Sequence, residues 1–175
     1  MTDDEGEAGT MTMGFRVFGL ALVGGLALSG CAREAPTTGA LPSLYWPMTT
    51  SGASVDSATA RDMISAYRAR SGGTPLQIDP DLQRLAEAEA AAMAAADKPS
   101  QAQTVKIAVQ RLGYAGAQVN LSAGYHTLAE AFSGWRDSPA HNAVMLAPRA
   151  TRMGIATAYA PHSKYKVYWA LLVAE

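Results

Sequence analysis

The side chains able to do chemistry are few: one cysteine and three histidines in 175 residues. Ser138 stands three residues before His141, a spacing at which a hydroxyl and an imidazole on one helix can meet. Ser-Pro at the head of a helical stretch, however, reads as an N-cap followed by proline at the first helical position. The Ser138 hydroxyl is then expected to hold backbone N–H groups and not to attack a substrate. Ser138 stands in no G-x-S-x-G or Ser-x-x-Lys pattern, and no H-E-x-x-H occurs in the chain. Glu89 is a different case. Leu82, Leu85, Glu89 and Met93 recur at spacings of three, four and four, which sets a carboxylate in an apolar helical stripe. Such a group is rarely buried without a partner. Two readings stay open: Glu89 reaches water at the edge of the stripe, or it pairs with His141, each charge then favouring the other. His141 has packing or capping as its bland alternative, and His126 and His162 read as solvated.

Cys31 closes the apolar run Val17 to Gly30, which follows Arg16 and ends in small residues. The run is shorter and richer in glycine than a membrane span of about 20 residues, and fits the apolar core of an export signal. Leu28-Ser29-Gly30-Cys31 resembles the lipobox of bacterial lipoproteins. That resemblance implies a signal over residues 1–30, cleavage before Cys31, and acylation of its thiol. Asp3, Asp4, Glu5 and Glu7 depart from the positive start of a signal, and Met11 or Met13 offers a cleaner one. Without residues 1–30 the chain keeps 13 bases and 11 acids, too small an excess to name a partner. No basic tract or nucleic-acid motif is present, so no nucleic-acid partner is expected. With its only thiol on a lipid the domain has no disulfide, and burial alone must stabilise it.

The elements that must position these residues follow from pattern. Residues 31–54 are rich in Pro, Thr, Ser, Ala and Gly and read as a flexible tether. Within them Leu44-Tyr45-Trp46-Pro47 is an apolar patch expected to pack on the domain. The domain itself is read over 55–175. Ala60, Met63, Ile64 and Tyr67 mark a first helix ending at Gly72-Gly73. Asp79-Pro80 opens a second, which runs to about Asp97, and Val105, Ala108, Val109 and Leu112 mark a third. Gln118 to Ser122 reads as a short strand. Thr127-x-x-Glu130 has the form of a capping box ahead of a fourth helix with Leu128, Ala131, Phe132 and Trp135 on one face. A short fifth helix follows Ser138-Pro139. Arg152–Tyr159 and Tyr165–Val173 read as two final strands. Helices first and a hairpin last predict an α+β fold, with helices on a small antiparallel sheet.

Three stretches carry a family resemblance: MISAYRARSGGTPLQIDPDLQRLAEAEAAAM, NLSAGYHTLAEAFSGWRDSPAHNAVML and TRMGIATAYAPHSKYKVYWALLVA. In this order they resemble the bacterial branch of the cysteine-rich secretory protein superfamily, also called CAP or SCP-like extracellular proteins. The helix start G-W-x-x-S-P-x-H is the most specific part. The resemblance implies a three-layer α-β-α sandwich, secreted or surface-held. It also implies a cleft where two histidines and two acids can hold a divalent metal, a sensible donor set. Of that pattern His141 is present. The first histidine's position carries Glu89, and the family's G-E-N is Gln118-Val119-Asn120, so Val119 replaces an acid and only Asn120 matches. Glu130 fits the capping box better than the remaining acid. No metal and no cofactor are therefore expected.

The expectation is a monomeric, non-enzymatic binding or interaction module of the cell envelope. It is tethered to a membrane through Cys31, with Glu89, Asn120, Ser138 and His141 as cleft candidates and a lipid, glycan or envelope protein as ligand. Ala32, where an Asp would mark inner-membrane retention in Gram-negative lipoproteins, inclines the placement to the outer membrane. A degenerate metal-dependent or His/Glu hydrolase in the same cleft is the alternative.

Overall fold

The structure, a computed structural model, describes residues 40–175. Cys31, the signal read over 1–30 and the first part of the tether lie outside the described residues. No helix among the described residues is long and apolar enough to cross a membrane.

Five helices and four strands alternate as α1 (Ser57–Arg70), β1 (Gln77–Ile78), α2 (Pro80–Ala96), α3 (Ala102–Arg111), β2 (Gln118–Ala123), α4 (Leu128–Asp137), α5 (Pro139–Met145), β3 (Arg152–Tyr159) and β4 (Val167–Ala174). The local chemistry is largely that of the caps. Asp56 accepts from the Ala58 and Thr59 N–H groups at the head of α1, and Asp79 does the same for Asp81 and Leu82 at α2. Thr127 accepts from the Glu130 N–H, and Glu130 reaches back to His126 N–H, one residue earlier than a strict capping box requires. Ser138 departs from expectation. It precedes α5, but its side chain makes no capping hydrogen bond, since Pro139 and the extended Ser138 backbone start the helix without it.

The sheet order is β1-β3-β4-β2. β2, β3 and β4 are antiparallel as expected, but β1 runs parallel to β3, so the sheet is mixed. β1 is two residues between Thr74-Pro75 and Asp79-Pro80, too short for any periodicity to reveal. It is laid along β3 by the Gln77 N–H to Thr151 and Asp79 N–H to Met153 carbonyl bonds. Where β1 stops, a side chain takes over its role. The Gln83 amide donates to Ile155 O at 2.9 Å and accepts from Ile155 N at 3.1 Å, pairing with β3 as another strand's peptide group would.

Alternation along β4 divides the core into two. Val167, Trp169, Leu171 and Val173 pack with Ile64, Trp135 and Met145 of α1, α4 and α5. Tyr168, Ala170, Leu172 and Ala174 pack with Leu82, Ala86, Met93 and Val109 of α2 and α3. The result is the three-layer sandwich. Part of the stretch read as tether belongs to it: Met48 is buried at 3% exposure and donates its N–H to His126 O. Leu44, Ala53 and Val55 pack on the same core, while Tyr45 and Trp46 remain about half exposed. The apolar patch thus anchors through Leu44 and its neighbour Met48, and its two aromatics face outward.

A buried cation lies beneath this layer. Arg68 is fully buried on α1, and its guanidinium donates to the carbonyls of Thr74, Met145, Ala147 and Ala150 at 2.7–2.9 Å. It ties the end of α1 to the segment that leads from α5 into β3.

The capping carboxylates give the fold an acid limit. Three groups hold the Asp56 carboxyl below its ordinary pKa: the Thr59 hydroxyl, the Thr59 N–H and the Ser43 hydroxyl. For Asp79, burial raises the pKa, but the Tyr114 hydroxyl, two backbone N–H groups and Arg152 outweigh it, and the net direction is down. Both groups therefore stabilise the fold above the usual carboxylate range, and the benefit is lost as pH falls through their depressed values. Thermal unfolding followed by circular dichroism should show a midpoint steady down to about pH 4 and falling below it. Asp56→Ala or Asp79→Ala should flatten that acid decline.

Candidate functional site

β2 forms one edge of the sheet, with α3 against it on one side and α5 on the other. Between them lies a cavity of about 510 Å³, lined by Lys106 from α3, Gln118 to Leu121 from β2, and His141 and Val144 from α5. Asn120 is fully buried and donates from Nδ2 to the His141 carbonyl at 3.0 Å, which fixes α5 to the strand. Lys106 Nζ donates to Gln118 Oε1 at 2.7 Å.

Three buried side-chain polar atoms have no partner among the described residues: Glu89 Oε1, Asn120 Oδ1 and His141 Nδ1. All three belong to residues that the sequence marks as cleft candidates. An unpartnered buried polar atom costs about 1–3 kcal/mol, and a cluster of them is a mark of function more than of stability. The structure brings Asn120 and His141 together on one wall. Glu89 and Ser138 do not line the cavity. Among the described residues no hydrogen bond or ion pair joins Glu89 to His141, and Glu89 Oε1 and His141 Nδ1 are each buried without a partner. The reason is architectural: α2 lies across β3 and β4 in one helical layer, and α5 packs in the other. Glu89 is half-buried, its Oε1 buried without a partner, and it forms no ion pair among the described residues.

Lys106 and Gln118 are functional candidates that the sequence reading missed. Lys106 sits one residue from the buried Val105, at the margin of the α3 stripe, where lysines are ordinarily solvated. Only the proximity of α3 to the β2 edge gives it meaning.

The donor set does not fit a divalent cation. One imidazole and two amides share the cavity with an ammonium, and no carboxylate lines the wall. No group of three or more metal-ligating side chains is found among the described residues. Nucleophilic chemistry fares no better here. The cavity holds Ser100 but no carboxylate to orient His141, whose Nδ1 is unpartnered. A second cavity of about 540 Å³ lies between the end of α2 and the β3–β4 turn. Its carboxylate, Asp97, is already engaged by the Tyr168 hydroxyl at 2.6 Å.

A family model, the cysteine-rich secretory protein family (CAP), matches residues 61–173, well over half of the chain and including every element that lines the cleft. The chain belongs to this family. Among solved structures, the CAP fold is shared with an outer surface protein of Borrelia burgdorferi at 16% identity and a TM-score of 0.58, covering 71% of this chain and 98% of that one. An extracellular SCP-domain protein of Bacillus anthracis matches at 17% identity and 0.56, covering 67% of this chain and 39% of that one. A cysteine-rich secretory protein of Staphylococcus aureus matches at 17% and 0.55, covering 67% and 37%. This chain therefore spans less than two fifths of the Bacillus and Staphylococcus chains. At these identities the likeness is one of fold. No curated protein matches the sequence. Within the CAP fold of this domain His141 is borne on α5 and Asn120 on β2.

Proposed function

We propose that this CAP domain is a non-catalytic binding module on the outer side of a bacterial membrane, held there by a lipid on Cys31. The observation that carries the reading is the make-up of the cleft. His141 and Asn120 present unpartnered polar atoms beside Lys106, with no carboxylate to complete a metal site or orient a base. Such a cavity suits recognition, since polar groups without protein partners are available to a ligand. A hydrolase in the same cleft needs either a metal set or a Glu89–His141 pair, and neither is supported by the residues at hand. The lipobox-like Leu28–Cys31 motif supports the tether. The Bacillus protein described as extracellular and the Borrelia protein described as an outer surface protein support the extracytoplasmic placement.

The anchor is tested by fractionating cells that express the full chain. The wild type is expected in the membrane fraction and in the detergent phase, and Cys31→Ser is expected to lower its membrane-bound share about tenfold or more. An unchanged distribution of Cys31→Ser would remove the lipid from the account.

A further inference from the structure

The cleft has a property that its side chains alone do not reveal: its back wall is an open sheet edge. Gly124 donates to Val167 O at 2.9 Å, and Ala160 to Lys166 O at 2.7 Å. In an antiparallel ladder each residue turns both backbone groups to the same side, and the side alternates. The odd-numbered residues of β4 therefore bond to β2, through Gln118, Asn120 and Ser122, and the even-numbered ones bond to β3. Val119 and Leu121 must then turn their N–H and C=O groups outward. Both line the cavity, and among the described residues no backbone group outside the sheet bonds to them. Two residues at the strand repeat thus offer a donor and an acceptor each, the pattern with which an added strand pairs.

The surroundings select the occupant. Lys106 is the one charged side chain lining the cavity, half-buried beside Gln118 at the beginning of β2. The fully buried Asn120 keeps an unpartnered acceptor on the same wall, and His141 an unpartnered ring nitrogen. Ala140, Ala143 and Val144 make the α5 side small and apolar, which leaves room for a backbone beside β2. We propose that this edge takes up an extended peptide as an added strand against Val119 and Leu121, with a carboxylate of that peptide set against Lys106. The proposal rests on the reading of this cleft as a binding site and names the class of ligand it takes.

The test uses the full chain in detergent and hydrogen exchange of the segment 118–123. Four pools of acetylated tetrapeptides are compared: one with a free terminal carboxylate, one amidated, one amidated with a glutamate fixed, and one N-methylated along the backbone. The segment is expected to become protected by the first pool, the third or both, which tells a terminal carboxylate from a side-chain one. Binding should weaken about tenfold in the plain amidated pool and in Lys106→Gln, the size expected for one lost charge-assisted hydrogen bond. The N-methylated pool should give no protection. Protection by no pool, equal protection by the N-methylated pool, or an unchanged response in Lys106→Gln would each overturn the proposal. Peptides that bind at this edge and are then cleaved would instead leave the site standing and overturn the non-catalytic reading. A lipid or glycan retained by the chain, with no pool protecting β2, would spare that reading and overturn the edge site alone.

Discussion

Arg68→Met is expected to lower the free energy of unfolding by about 3–5 kcal/mol, one of the two largest losses from a single substitution outside the cleft. The guanidinium has no carboxylate partner; four carbonyl oxygens hold it. Burial pushes its pKa down, but an arginine remains charged, so the four bonds are charge-assisted. When it is removed, not all of its acceptors are equally stranded. Ala147 O keeps the Ala150 N–H, and Ala150 O keeps the Thr74 hydroxyl. Met145 O loses its donor in the buried interior, at about 1–3 kcal/mol for such an orphan, and Thr74 O, at the partly buried end of the fork, loses a charge-assisted bond. Methionine fills most of the volume without replacing a donor, so urea denaturation reads the polar loss with little cavity term. Arg68→Lys should not rescue it, because a single ammonium cannot span acceptors that a planar fork reaches from both edges. A loss below about 1 kcal/mol in Arg68→Met would mean that water or relaxation satisfies those carbonyls.

Gly154→Ala should cost about 3 kcal/mol or more, and the reason is contact, not backbone freedom. A Cβ on Gly154 would lie inside the van der Waals radii of the Leu82 carbonyl group and the Gln83 nitrogen. These are main-chain atoms at the head of α2 and cannot swing aside. To admit one methyl group the helix must lift from the sheet. It would then take with it the Gln83 amide that pairs with Ile155 and the Asp79 carboxylate that holds Tyr114 and Arg152. A fall in the denaturation midpoint with no change in slope is expected. Protection of the Ile155 amide from exchange should fall with it, whereas a mere local repacking would leave that amide protected.

How far the sequence discloses this molecule depends on the length over which a pattern can repeat. α2 was legible because Asp79-Pro80 supplies cap and start together and a long stripe follows. The strands β3 and β4 were legible from their apolar, β-branched runs. β1 was not, because two residues carry no period. The stripe Ala60, Ile64, Arg68 does continue at spacings of four, so a signal for the buried arginine existed. It was hidden because an arginine ending a stripe ordinarily snorkels to water. In the cleft, motif comparison brought out His141 and Asn120, which the fold does place on one wall. Glu89 shares their lack of a partner but lies in the other layer, since a helical stripe gives a face and not the strand beneath it. Ser138-Pro139 carries the signature of a cap, yet the Ser138 hydroxyl is not used that way, because the signature lies in its neighbours alone. Lys106 drew no attention for the same reason that charged helix margins seldom do.

The central claim is that this CAP cleft recognises a ligand through His141, Asn120 and Lys106 without a resident metal. The most direct measurement is native mass spectrometry of the purified full chain after incubation with Zn²⁺, beside His141→Ala. The account predicts no stoichiometric zinc on either protein, since one imidazole beside an ammonium is a poor site for a cation. One equivalent of zinc on the wild type, lost in His141→Ala, would contradict it.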